Sequence, residues 1–325
     1  MSYSEFDLID HFFKDRKIER SDVTLGIGDD AALLNVPAGM ELAVSMDTMV
    51  EGVHFFEGAN PEDLGYKLMA VNLSDLAAMG ADPAWASLAL TLPSASKKWL
   101  EFFCRGMFAL ADEYEVALIG GDTTCGPLTL SLQIFGFAPK GKAMRRKGAK
   151  PGDIVYVSNT IGDAGFVLKN TGRSAWRDDV ELLEHRLLRP SPRVAAGLLI
   201  RDLATAAIDI SDGLVADLGH ILKQSGVGAR IELDQIPLSD PVRRYLQRTG
   251  DWQMPLGAGD DYELCFTIDA EDSVRLEALD ADVDFYPIGR IEQASGLRVI
   301  TADGGELAID KGGYRHFDEG DHHGK

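Results

Sequence analysis

Strand-length apolar runs alternate with helix-periodic ones along this chain, which predicts an α/β protein. A length of 325 residues with 45% hydrophobic content is enough for more than one core, so two domains are expected. The rhythm breaks at the basic stretch Arg145-Arg146-Lys147 and Lys150, just before Pro151-Gly152-Asp153, and restarts with the strand-like Ile154 to Val157. That break places a domain boundary between residues 148 and 149.

Taken in order, the first segment with chemical content is Gly26-Ile27-Gly28-Asp29-Asp30-Ala31-Ala32. Its glycines permit a tight backbone, although Gly-Asp pairs also make ordinary turns. Leu42 to Ser45 reads as a strand, with Asp47 at or near its C-terminal end, where ligands collect in α/β sheets. Asn60-Pro61-Glu62-Asp63 then opens a helix that runs to Met79 and stops at Gly80: a capping residue, proline in the first turn, acids near the N-terminus, glycine at the end. Leu64, Leu68, Val71, Asp75 and Ala78 fall on one stripe of that helix. An aspartate in a core-facing stripe is costly unless paired or bound to a cation, or unless it caps a neighbouring loop.

Val116 to Ile119 reads as another strand, followed by Gly120-Gly121-Asp122-Thr123, and Leu128 to Ala138 as the next. The basic stretch is either a solvated linker or, through a guanidinium, a partner for a nucleotide phosphate. In the second half, Ala206 to Ile210 is a short buried strand leading through Ser211-Asp212-Gly213 into an amphipathic helix from Leu214 to about Gln224. Backbone N–H groups at that helix start favour a phosphate, whereas Asp209 and Asp212 repel one unless Mg²⁺ intervenes; a simple capping role is the competing reading. Gly257-Ala258-Gly259-Asp260-Asp261 is an acidic, glycine-rich entry to the strand around Phe266. Any one of Asp30, Asp47 and Asp122 could be a turn residue. Together with Asp75 they form the dispersed carboxylate pattern that a multi-magnesium phosphate site needs.

Bulk properties narrow the field. The formal charge of −20 argues against nucleic acid as a partner. No run of eighteen apolar residues occurs and the N-terminus begins polar, so neither a membrane span nor a secretory signal is expected. Cys104, Cys125 and Cys265 lack zinc spacing and are expected as buried thiols in a reducing cytoplasm. No Ser/His/Asp or Cys/His constellation stands out, so no catalytic residue is named apart from those that position metal and phosphate.

At Gly26 to Ala32, Val71-Asn72-Leu73-Ser74-Asp75-Leu76-Ala77-Ala78-Met79-Gly80-Ala81, Ile119 to Thr123, Asp209 to Leu214 and Lys311-Gly312-Gly313-Tyr314-Arg315-His316-Phe317 the chain resembles the thiamine-monophosphate kinases. Those enzymes are themselves relatives of aminoimidazole ribonucleotide synthetase. The resemblance covers residues 1 to 317 and leaves 318–325 as a polar flexible tail, so the expected domains are 1–148 and 149–317. It implies two α/β domains per chain, N-terminal domains pairing in a homodimer through a shared β-barrel, and a nucleotide site along that interface. It also implies ATP-dependent conversion of thiamine monophosphate to thiamine diphosphate. By matching motifs, Asp30, Ser45, Met46, Asp47, Asp75, Asp122, Asp209 and Asp212 would hold several Mg²⁺ ions. Gly121, Asp122, Arg146 and Ser211 would contact ATP, and His54, Asp260 and Tyr314 would contact thiamine monophosphate.

The chain departs from the family pattern at two of these positions. Met46 stands where a hydroxyl residue is usual, so a ligand there must be its carbonyl, and Asp260 stands where a glutamate is usual. Two other readings of the carboxylates are a related ATP-dependent enzyme of the same superfamily and a two-metal phosphohydrolase. A non-catalytic calcium-type loop fits worse, because the acids are dispersed.

Overall fold

The computed structural model describes residues 10–14, 20–281, 283–309 and 313. The described residues within Met1–Leu76 and Ala81–Gly141 form one compact unit, and those within Ala77–Gly80 and Lys142–Asp318 form the other.

The first unit holds β1 (Val23–Leu25), β2 (Leu33–Leu34), β3 (Met40–Val50), α1 (Pro61–Met79) as far as Leu76, β4 (Asp82–Leu92), α2 (Lys97–Glu113), β5 (Ala117–Cys125) and β6 (Thr129–Pro139). The helix read from the sequence is there, for the local reasons expected: the Asn60 side chain accepts from the Glu62 N–H at 3.0 Å, and its carbonyl accepts from Leu64 at 3.0 Å. Its apolar stripe is buried, with Leu64, Leu68 and Val71 at most 4% exposed.

The main sheet runs β3-β6-β4-β5, with β4 and β5 parallel and the other pairs antiparallel. Alternation sorts its side chains into two faces. Leu130, Leu132 and Ile134 of β6 are buried on one face, opposite Met49, Asp47 and Ser45 of β3. Met40, Leu42, Val44 and Met46 point the other way and are 37–57% exposed. The sheet is open, with β3 and β5 as its edges, and it does not close into a barrel. This corrects the barrel that the family resemblance implied: at ordinary interstrand twist, four strands do not bring the last round to the first.

The second unit contains β7 (Ile154–Ser158), α3 (Asp163–Asn170), α4 (Arg177–Leu188), α5 (Val194–Ile200), β8 (Ala204–Asp209), α6 (Leu214–Ser225), β9 (Gly228–Glu232), α7 (Asp240–Thr249), β10 (Leu264–Ile268), β11 (Phe285–Glu292) and β12 (Gly296–Ile300), with shorter helical turns between them. Its six-stranded sheet has the order β12-β9-β11-β7-β10-β8; only β12 with β9 is parallel. Val155, Val157, Phe166, Ile208, Leu218 and Ile221 lie in its core. Cys104 and Cys265 are buried as expected, but Cys125, at the end of the edge strand β5, is exposed.

Candidate functional site

Strand β3 extends on both sides of the segment read from the sequence, so Asp47 lies inside it, two residues from Ser45 and on the same face. That face meets α1. The Ser45 hydroxyl donates to the Asp75 carboxylate in a very short hydrogen bond. Burial and then the adjacent Asp75 charge, with which it shares a hydrogen bond, push the Asp47 carboxyl up to about 7. Two carboxylates and a hydroxyl, crowded together and partly removed from water, form a hard-oxygen donor set that suits Mg²⁺. No group of three or more His, Cys, Asp and Glu side chains is placed to hold a metal ion among the described residues. Here the third donor is a hydroxyl. Met46 points to the opposite face of the strand and is 57% exposed.

A second cluster occupies the other face of the same sheet. Asp122 pairs in register with Ala89, which pairs with Ser131, so it belongs to the face away from Asp47. It lines a cleft of about 690 Å³ with Asp29, Asp30, Gly120, Gly121, Ser87 and Phe135. The Gly26–Ala32 segment and the Gly120–Thr123 segment, far apart in sequence, therefore line one cavity. Gly121 is required by close approach: a Cβ there would lie 1.9 Å from the Leu88 carbonyl oxygen. The Asp29 side chain accepts from the Asp30 N–H at 2.8 Å. Two strands separate β3 from β5, so about 14 Å of sheet width lies between Asp47 and Asp122 at ordinary strand spacing. One chain does not bring these two aspartates to one ion.

His54 sits in the turn after β3. Its Nδ1 accepts from the Val50 N–H at 3.0 Å, and the His54 backbone N–H donates to the Val50 carbonyl at 2.9 Å. In the neutral ring the proton is thereby assigned to Nε2, which makes that atom a donor.

The third cluster lies in the second unit. Asp209 ends β8 at 4% exposure, and Ser211 and Asp212 follow in the turn before α6. The glycine-rich entry to β10 packs directly on this turn: Asp260 N–H donates to the Ser211 carbonyl at 2.9 Å and Tyr262 N–H to the Ile210 carbonyl at 2.8 Å. A Cβ on Gly259 would lie 2.0 Å from the Ser211 carbonyl oxygen, so only glycine allows the two loops to meet. Asp260 and Tyr262 adopt positive φ values of 69° and 50°, with the Tyr262 hydroxyl donating to Asp260 at 3.1 Å. Arg146 is exposed beside the same strand. The Ala207 N–H donates to the Arg145 carbonyl at 2.9 Å, so the basic segment runs along the free edge of β8. Tyr314 lies outside the described residues, as do His322 and His323.

Two features of this unit escaped the reading of the sequence. Asp217, in the first turn of α6 and 2% exposed, accepts from the N–H groups of Ser211, Asp212 and Gly213 at 3.0, 3.0 and 3.1 Å. Burial first, and then the Asp212 charge, push its carboxyl up to about 7 against the pull of those three bonds. Its signal was available, since Leu214, Leu218 and Ile221 put it in a core-facing stripe as surely as Leu68 and Val71 did for Asp75. The other is Glu263, fully buried. It accepts from Ser158 at 2.6 Å, from Arg186 at 2.8 Å and from Arg193 at 2.6 and 2.7 Å. Its partners are scattered from 158 to 193 in sequence, and only the fold assembles them.

Residues 28–138 match the family model for the N-terminal domain of AIR synthase related proteins, and residues 150–302 match the model for the C-terminal domain. The chain is 49% identical over 326 residues to a thiamine-monophosphate kinase of Escherichia coli K12, covering 98% of this chain and 99% of the relative. The crystal structure of thiamine-monophosphate kinase from Stenotrophomonas maltophilia K279a superposes with a TM-score of 0.84 at 48% identity, over 94% of this chain and 99% of that one. A structure described as AaThiL complexed with AMPPCP and TMP superposes with a TM-score of 0.76 at 33% identity, over 96% and 97% of the two chains.

Proposed function

We infer the chemistry of the three clusters from one premise: the chain belongs to the thiamine-monophosphate kinase family of AIR synthase related proteins. It is an enzyme that phosphorylates thiamine monophosphate to thiamine diphosphate at the expense of ATP. The observation that carries the site reading is the meeting of Ser45, Asp47 and Asp75. Carboxylates crowded enough to hold Asp47 near pH 7 are relieved by a divalent cation.

Donor triphosphate and acceptor monophosphate are both anionic and repel each other, and transfer between them depends on positioning and charge neutralisation more than on a base. Bound Mg²⁺ supplies that neutralisation. In our reading several ions are held by Asp30, Ser45, Asp47, Asp75, Asp122, Asp209 and Asp212, with the Met46 carbonyl as a further ligand. Gly121 and Asp122 in the cleft, with Ser211 and Arg146, bind the nucleotide. His54 offers Nε2–H to the acceptor phosphate, and Asp260 and Tyr314 hold the rest of the acceptor. The acceptor oxygen is already ionised at neutral pH, so the transfer needs no histidine or cysteine arranged as a base.

The protein pairs as a homodimer in this proposal, supported by the exposed apolar row Met40, Leu42, Val44 and Met46 on an open sheet. The working domain division is 1–148 and 149–317, with 318–325 as a tail. No helix among the described residues is long and apolar enough to cross a membrane, and we place the enzyme in the cytoplasm. ADP release measured with thiamine monophosphate, with free thiamine and with neither tests the assignment. Release should require thiamine monophosphate; equal release with free thiamine contradicts it, because the acceptor's phosphate is the nucleophile.

A further inference from the structure

The turn before α6 has the strand-turn-helix form that in many proteins seats a phosphate on backbone N–H groups. Here the N–H groups of the turn itself, ahead of the helix's own first three, are taken. The Ile210 N–H donates to the Glu263 carbonyl at 2.8 Å, and the N–H groups of Ser211, Asp212 and Gly213 converge on one oxygen, Oδ2, of Asp217. The carbonyls of Ile210 and Ser211 are taken by Tyr262 and Asp260, and the Gly213 carbonyl by the Asp217 N–H at 3.0 Å. A carboxylate from inside the protein thus occupies the seat formed by the turn's N–H groups, and only those of Leu214 to Ala216, within the helix, are left to an external anion. What the turn still presents to a ligand is the Ser211 hydroxyl and the Asp212 carboxylate.

We propose that Asp217 is a positioning residue that makes this turn cation-selective. It takes the N–H groups of Ser211 to Gly213 and fixes their backbone, so that a phosphate reaching this turn meets the Asp212 carboxylate and arrives with a metal ion. The proposal rests on the reading of Ser211 and Asp212 as nucleotide and metal contacts. Because all three bonds end on one oxygen, an asparagine can preserve them with its single carbonyl oxygen, whereas alanine or serine cannot.

The test uses the full-length protein and Asp217→Asn, Asp217→Ala and Asp217→Ser. Serine serves if the alanine variant does not fold. Amide hydrogen exchange without ligands reads the seat directly: Ser211, Asp212 and Gly213 should be protected in the parent and in Asp217→Asn, and unprotected in the alanine and serine variants. Kinetics read the consequence. The short variants should raise KM for ATP at least about tenfold and KM for thiamine monophosphate less than about twofold, with Asp217→Asn within about threefold of the parent in both. They should also bind an ATP analogue in EDTA more tightly than the parent does, because their N–H groups are open to phosphate. Unchanged exchange at 211–213 in the short variants, or equal effects on both KM values, overturns the proposal. If the parent itself shows no ADP release dependent on thiamine monophosphate, the functional reading fails, and the exchange data still decide whether Asp217 holds the turn.

Discussion

Ser45 on β3 donates its hydroxyl proton to the Asp75 carboxylate on α1, thirty residues away in sequence. The bond ties the helix to the edge strand at the point where Asp47 adds a second carboxylate. A hydroxyl alone is a poor answer to two crowded negative charges. This polar contact between helix and sheet therefore has the character of a binding site more than of a packing device.

Arg146→Ala is expected to raise KM for ATP more than KM for thiamine monophosphate. The side chain is exposed beside β8, and a charged hydrogen bond to phosphate contributes roughly 1.5–3 kcal/mol. Steady-state kinetics with each substrate varied in turn decide it. A change confined to thiamine monophosphate would assign the arginine to the acceptor instead.

Asp261 gives a pH-dependent expectation. It is 3% exposed, one carboxyl oxygen accepts from the Gly162 N–H at 2.8 Å, and the other is buried with no hydrogen-bond partner among the described residues. Burial, reinforced by the charges of Asp163 and Glu263, holds its carboxyl well above the usual range. The folded protein therefore keeps this proton where the unfolded chain has lost it, and the stability it contributes is present below about pH 4 and declines as pH rises towards the folded value. Asp261→Asn removes that decline while retaining an oxygen for Gly162. Melting curves at pH 4, 6 and 8 should show the mutant gaining on the parent as pH rises; a gap that is constant or widens in the parent's favour contradicts this.

Glu263→Ala should destabilise the second unit by about 3 kcal/mol, since it leaves Arg186 and Arg193, only 11% and 13% exposed, without their shared carboxylate. Chemical denaturation measures it. A loss below about 1 kcal/mol would mean that water replaces the carboxylate without cost.

Much of this was legible from local signals. Asn60, Pro61 and the apolar stripe announced α1, and an acid within that stripe announced Asp75. The same stripe logic applied to Asp217 and was overshadowed by the cluster of acids just before it. The two glycines before Asp122 read as the end of a strand. In the structure, β5 continues through Gly120 and Gly121, whose backbones stay paired with Ser87 and Leu88. Glycine weakens a strand but does not end one whose neighbour supplies the ladder. The separation of Asp47 from Asp122 onto opposite faces depends on strand order, a non-local property that no spacing in the sequence encodes. The barrel failed for the same reason, since closure depends on strand number and register.

If the Ser45, Asp47 and Asp75 cluster is a cation site, as we propose, thermal melting of the parent and Asp75→Asn, each with EDTA and with Mg²⁺ plus a non-hydrolysable ATP analogue, will show it. Asparagine keeps the shape and an acceptor for Ser45 while removing one charge. In EDTA the mutant should melt no lower than the parent, because repulsion with Asp47 is relieved. With ligands the parent should rise and the mutant should lose most of that rise, together with most activity, since stabilisation follows binding to the native state. An Asp75→Asn protein that melts lower in EDTA yet keeps the full ligand-induced shift and activity would show a structural carboxylate and contradict the claim.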